Sequence, residues 1–338
     1  MFVGHGLVAF ALAAAIAHAS GWSRDRALAF GVVAGGFALA PDVDILYAPA
    51  GLLGAATLAG AVDGFWSTGN LIHRAVTHSL VVAPVAALAS ALYHYGHSQG
   101  RRDALAGSLV AFCGLAAVAG LASGYLGVVV MAALGVACLV VVTVAERAGL
   151  GSRAVGAAAL FGLCSHPFGD LFTGEPPAFF YPFHVVLFSE RVTLSPDPTL
   201  HLLGAMGIEL ATFWLALLVF LHVANRGRVR DHVNARAALG LGYAAVAFVV
   251  PAPTLEVSYQ FVFSVLGLGV VSATPLPRRL ARAELSLPAP ARTVTRRRLL
   301  RVPRPRFAVD PLRTAVTALT AATLAALTYA AVYVGLLG

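Results

Sequence analysis

The sequence predicts an all-helical fold, a polytopic integral membrane bundle of about ten transmembrane helices, and three observations predict it. Hydrophobic residues make up 59% of the 338 residues and charged residues 11%, with a mean hydropathy of +0.83. Apolar runs of about 20 residues, long enough to cross a hydrocarbon core as helices, recur along the chain. The charges gather between those runs, and all 23 basic residues are arginine.

In chain order the runs fall at 4–20, 27–41, 78–95, 104–122, 125–145, 154–172, 200–223, 236–251, 257–274 and 313–337. The first opens with Gly4, His5 and Gly6 and lacks a basic leader, so it reads as a retained helix and not a cleaved signal. The 27–41 and 236–251 runs are short, and 51–62 is a further apolar stretch suited to a re-entrant or interfacial helix. Cys113, Cys138 and Cys164 are odd in number and lie in apolar runs, which argues against a disulfide framework. The segment 276–306 is rich in proline and arginine and too polar to cross. Two regions follow: a site-bearing membrane domain at 1–200, and additional transmembrane helices at 201–338 with a basic cytoplasmic loop at 276–312.

A net charge of +8 suggests nucleic acid at first sight, but the placement of the arginines argues for topology instead. Threading the runs through a bilayer puts all the arginines except Arg74 and Arg191 on one side, which the positive-inside rule assigns to the cytoplasm. Both termini then face outward, no nucleic-acid partner is expected, and the plasma membrane is the expected location.

Three polar segments stand at the edges of apolar runs: Asp42 and Asp44 in APDVDIL, His73, Arg74 and His78 in LIHRAVTHSL, and His166, Asp170 and Glu175 in CSHPFGDLFTGE. His5 opens the first run. Ionisable groups at membrane segments are costly unless paired or bound, so they point to function. The same threading brings all of them to the extracytoplasmic face. His166 and Asp170 are four residues apart, which puts both on one helical face, a spacing suited to a metal ion. Neutral imidazoles and carboxylates suit zinc, manganese or iron, with one to three ions expected and Asp42 or Asp44 as a bridge. Arg74 is the candidate for a substrate phosphate, with Thr77 near the start of the third helix and His78 in its first turn. Glu175 is a ligand, a general base or an exposed loop acid. Glu209 lies inside an apolar span and suits a place beside the site cavity. His18, His94, His97, His222 and His232 read as interfacial or loop residues, and His184 as part of an aromatic belt.

These features resemble the YdjM-like family of membrane-bound metal-dependent hydrolases. The matching residues are His5; Pro41, Asp42 and Asp44; His73, Arg74, Thr77, His78 and Ser79; and His166, Asp170 and Thr173. Gly174 stands two positions earlier than the family pattern has it, and Pro167 follows His166 where an apolar residue is usual. The family is remotely similar to the zinc-dependent phospholipase C and single-strand nuclease superfamily. The resemblance implies His5, Asp42, Asp44, His73, His78, His166 and Asp170 as metal ligands, with zinc favoured. It also implies Asp44, Arg74 and Glu175 in catalysis on a phosphoester such as a phospholipid or polyprenyl phosphate, with membrane lipids as partners. Two other classes use the same residues: a metal or small-solute transporter, and a scaffold with a structural metal.

Overall fold

The computed structural model describes residues 3–69, 71, 74–172, 176–274 and 310–337. His73, Glu175 and most of the basic loop expected at 276–312 lie outside the described residues. Every described element is helical, in the order α1 (Gly4–Ala19), α2 (Arg24–Leu39), α3 (Leu58–Gly69), α4 (Val82–Gln99), α5 (Arg102–Arg147), α6 (Ser152–Gly169), α7 (Pro198–Ala224), α8 (Ser258–Ala273) and α9 (Pro311–Val332). Short 3-10 segments, Ala40–Ile45 and Asp170–Phe172, extend α2 and α6, and a longer one spans Ala235–Phe248.

Each expected run falls on a helical segment. Among the described residues, five segments are long and apolar enough to cross a membrane: Arg24–Leu52, Arg102–Arg147, Ser152–Phe172, Pro198–Ala224 and Pro311–Leu336. Gly4–Ala19, Ala235–Phe248 and Ser258–Ala273 are shorter apolar helices. Two expected runs share the 46-residue α5, which breaks at Gly124, where φ is 68° and ψ −161°. That conformation is open to glycine and strained for any residue with a Cβ, so one residue converts a continuous apolar stretch into two helices. The apolar stretch expected at 51–62 divides between the 3-10 segment Ala48–Leu52 and α3.

The chain divides into two compact units, 1–227 and 228–338. The expected division after residue 200 falls ahead of α7, whereas α7 packs on α1 and α2 within the first unit. In that unit α2 is central, touching α1, α5, α6 and α7. Small residues make this possible, as in membrane bundles generally. A Cβ on Gly35 would stand 2.7 Å from the Gly6 carbonyl oxygen on α1. One on Gly162 of α6 would collide with the Ala34 carbonyl and the Ala38 amide of α2. The core between these helices is built of Val33, Ala34, Phe37, Ala83, Ala86, Met131, Leu134, Ala158 and Leu163, all buried.

The second unit packs Ala235–Phe248, α8 and α9 together. Tyr243, Phe261 and Tyr329 form an aromatic cluster, with Phe261 and Tyr329 centroids 4.9 Å apart. Asp310 caps α9 by accepting from Leu312 N and Arg313 N.

Candidate metal centre

Four elements deliver side chains to one point. α1 contributes His5 from its first turn; the 3-10 extension of α2 contributes Asp42 and Asp44; the loop before α4 contributes Arg74 and His78; and the end of α6 contributes His166 and Asp170. The close approaches at Gly35 and Gly162 carry the first, second and fourth of these together, because a helix kept away from α2 by a side chain could not present His5 or His166 to it.

His166 is fully buried, and its Nδ1 stands 2.6 Å from the carbonyl oxygen of Ala38. A carbonyl only accepts, so Nδ1 carries the proton and Nε2 presents a lone pair to the centre. His78, also fully buried, places Nδ1 2.9 Å from Thr77 Oγ1 and 3.3 Å from Asp44 Oδ2. Thr77 spends its own hydrogen on Asp44 Oδ2 at 3.0 Å, so the His78 Nδ1–H is the donor and Nε2 again points inward. The two Nε2 atoms face each other at 2.8 Å.

Carboxylates surround that pair. Asp170 Oδ2 is 3.1 Å from His78 Nε2 and 3.8 Å from His166 Nε2. Asp42 Oδ1 is 3.6 Å from His166 Nε2 and 4.0 Å from His78 Nε2. His5 Nε2 approaches Asp170 Oδ1 at 3.2 Å, and its ring lies 4.1 Å from that of His166. Asp42 Oδ2 is a buried atom with no hydrogen-bond partner among the described residues, and His5 Nε2 has only its approach to Asp170 Oδ1. Burying such atoms unsatisfied costs free energy that a cation would restore. Ligands at about 2.0–2.2 Å from one ion stand roughly 3 Å from each other, so these separations fit a metal.

His5, Asp42 and His166 form one candidate triad, and His78, His166 and Asp170 a second. Both use His166 Nε2, and one imidazole nitrogen binds one ion, so the two triads merge into one site.

Asp44, expected as a ligand and bridge, has a different place. It is fully buried behind His78, where Oδ2 accepts from Arg74 N at 3.1 Å and from Thr77 Oγ1. It fixes the tautomer and direction of His78, the part that outer partners play for metal-bound imidazoles. Burial alone disfavours the imidazolium of His78, yet Asp170 and Asp44 on its two nitrogens outweigh that and raise its pKa from 6.5 to about 9.

Arg74 does not stand apart for a substrate as expected; its guanidinium approaches Asp170, Nη2 to Oδ1 at 3.4 Å and Nη1 to the backbone oxygen at 3.4 Å. It adopts φ 66°, costly for a non-glycine residue, and that backbone turns its N–H toward Asp44. The loop is left in this shape because α4 begins at Val82; His78 and Thr77 precede the helix instead of entering its first turn. Pro167 lies inside α6, and the helix tightens to 3-10 at Asp170 without losing the pairing of His166 with Asp170.

Sequence reasoning missed how the centre is covered. Ser79 Oγ donates to Tyr181 O at 2.8 Å, Leu80 N to Phe179 O at 2.8 Å, and Ala178 N to Arg74 O at 2.8 Å, so the segment after the centre folds back over the loop. Glu209 meets α1 itself, its Oε1 accepting from Gly4 N at 2.9 Å. Its signal was an acid inside an apolar span. Asp42 and Arg74 retain the appreciable exposure among the described site residues, 19% and 14% at the side chain.

Fold and site together define a helical membrane protein with a buried His/Asp centre able to hold a metal. The chain belongs to the YdjM inner membrane protein family, whose family model matches residues 1–250. That match takes in the whole first unit and reaches past the 5–175 span of the motifs. No curated protein and no solved structure matches the chain.

Proposed function

We propose that this protein is a membrane-bound metal-dependent hydrolase that cleaves a phosphoester presented at the extracytoplasmic membrane surface. The observation that carries the reading is the pair of inward-facing Nε2 atoms, 2.8 Å apart and flanked by Asp42 and Asp170. Two facing imidazole nitrogens and two carboxylates are held together either by a proton on His78 Nε2 or by a cation that displaces it, and a set of imidazoles and carboxylates suits zinc, manganese or iron. A bound divalent ion supplies a Lewis acid and an acidified water.

The chain's own residues do the rest. His5, Asp42, His78, His166 and Asp170 hold the ion, Asp44 orients His78, and Arg74 pins Asp170 while keeping part of its surface open. Asp42 lies on the accessible side, where it can accept a proton from an incoming water. Lipid phosphoesters suit a site at the end of membrane helices. The membrane family and the membrane-length helices support this location.

The test is elemental analysis of detergent-purified protein beside His166→Ala, followed by phosphoesterase assay of both on a phospholipid in mixed micelles. One or more equivalents of zinc, manganese or iron, lost together with hydrolysis in the variant, is the expected result. Absence of metal after reconstitution would overturn the metal reading, and bound metal without hydrolysis would overturn the enzymatic one. A structural metal is the second reading, favoured by the full burial of His78 and His166; it predicts that chelation lowers the melting temperature and that no phosphoester is turned over.

A further inference from the structure

At the other end of the first unit lies a second feature that the metal centre does not use. A cleft of about 1060 Å³ is lined by Trp22, Arg26, His97, Glu146, Ser152 and Arg153, among others. It is remote from the centre along three helices: Arg26 is in the first turn of α2 whereas Asp42 follows that helix, His97 is in the last turn of α4 whereas His78 precedes it, and Ser152 opens α6 whereas His166 is near its end. Fourteen residues of α6 separate Ser152 from His166, roughly 21 Å at the helical rise.

The chemistry of this cleft is that of an anion site. Its one carboxylate, Glu146, is engaged with His97 at 3.0 Å. Arg153 and Arg26 are both exposed and in no ion pair among the described residues, and Arg26 lies 4.3 Å above the ring of Trp22. The first turn of α6 opens into the cleft behind Gly151, with no side-chain cap on its N–H groups, and such a terminus favours negative charge.

A second observation points to what the anion is attached to. Ala157 lines the cleft and also begins an apolar groove of about 530 Å³ formed by Ala157, Leu160, Phe161, Cys164, Ser165 and Phe168. Those six follow the spacing of a single helical stripe along α6, and the stripe is roughly 16 Å long. A basic cleft at the end of membrane-spanning helices, continuing into a shallow apolar stripe along α6, has the form of a headgroup joined to an acyl chain.

We propose that this is a binding site for an anionic phospholipid, with its phosphate held by Arg26, Arg153 and the first turn of α6, and one chain lying in the groove from Ala157 to Phe168. The end of the bundle is also where Arg24, Arg101, Arg102 and Arg147 gather, the side on which anionic lipids are attracted by basic residues. A free phosphate would use the cleft and leave the groove.

The experiment measures binding of phosphatidylglycerol and of phosphatidylcholine with the same 16-carbon chains to the full protein in mixed micelles, with inorganic phosphate as a third probe. Wild type should prefer phosphatidylglycerol by about thirtyfold, since each arginine near a headgroup contributes about fivefold. The Arg26→Gln/Arg153→Gln variant should lose that preference. Ala157→Trp, at an exposed position where the added ring fills the head of the groove, should weaken both lipids, and all variants should keep wild-type metal content and melting temperature. Equal affinity for the two lipids, or a preference that survives the double variant, overturns the proposal. Inorganic phosphate binding as tightly as the lipid overturns it in favour of a soluble phosphate ligand.

Discussion

His78 shows how much a single residue's neighbours decide. Asp44 and Thr77 direct its Nδ1–H outward, which leaves Nε2 facing the centre. Asp44→Asn keeps the volume but removes the charge, so metal affinity should fall by about 10–100-fold with binding still detectable by competition against a chromogenic chelator. The same environment makes binding depend on pH. Without metal, His78 stays protonated up to about 9, and a metal must displace that proton from Nε2. Affinity should therefore rise by up to about tenfold per pH unit as pH increases toward 9, with up to one proton released per ion. Calorimetry in buffers of different ionisation enthalpy reads this directly; binding without proton release at pH 7 would show that His78 is already neutral.

At the scale of elements, the centre is only as well formed as the contacts between α1, α2, α6 and α7. Gly162→Ala pushes α6 away from the backbone of α2, stretching the His166 to Ala38 hydrogen bond. Its expected cost is about 1–3 kcal/mol in stability together with a loss of metal occupancy, measured by thermal melting and elemental analysis on one preparation. Glu209 ties α7 to the first amide of α1 and so positions His5, the next residue. Glu209→Gln retains an oxygen acceptor and should keep near-normal metal affinity, whereas Glu209→Leu should lose several-fold by freeing the start of α1. Equal affinity in the two variants would show that this contact does not position the ligand.

For the whole molecule, every described residue of the centre belongs to the 1–227 unit. A chain ending at Gly227 should therefore bind metal with the stoichiometry of the full chain in detergent, and its failure to do so would assign the second unit a part in the site.

Composition and hydrophobic run length were enough to determine the all-helical membrane class, because unpaired backbone in lipid is so costly that a long apolar run becomes helical; they did not determine the number of spans, since five described segments reach spanning length against the ten runs expected. The polar residues were legible for the same reason: His5, Asp42, His78, His166 and Asp170 are conspicuous in segments that are otherwise apolar. Tertiary structure alone decided the roles within that set. Asp44 and Asp42 are two residues apart with identical side chains, yet Thr77 and the Arg74 amide draw Asp44 behind His78 while Asp42 faces the centre. Arg74 likewise turned toward Asp170 through a positive φ that its residue type does not announce. Run length depends on each segment by itself, whereas a ligand's role depends on which atoms of distant segments occupy the space beside it, and those neighbours exist only once α1, α2 and α6 have packed.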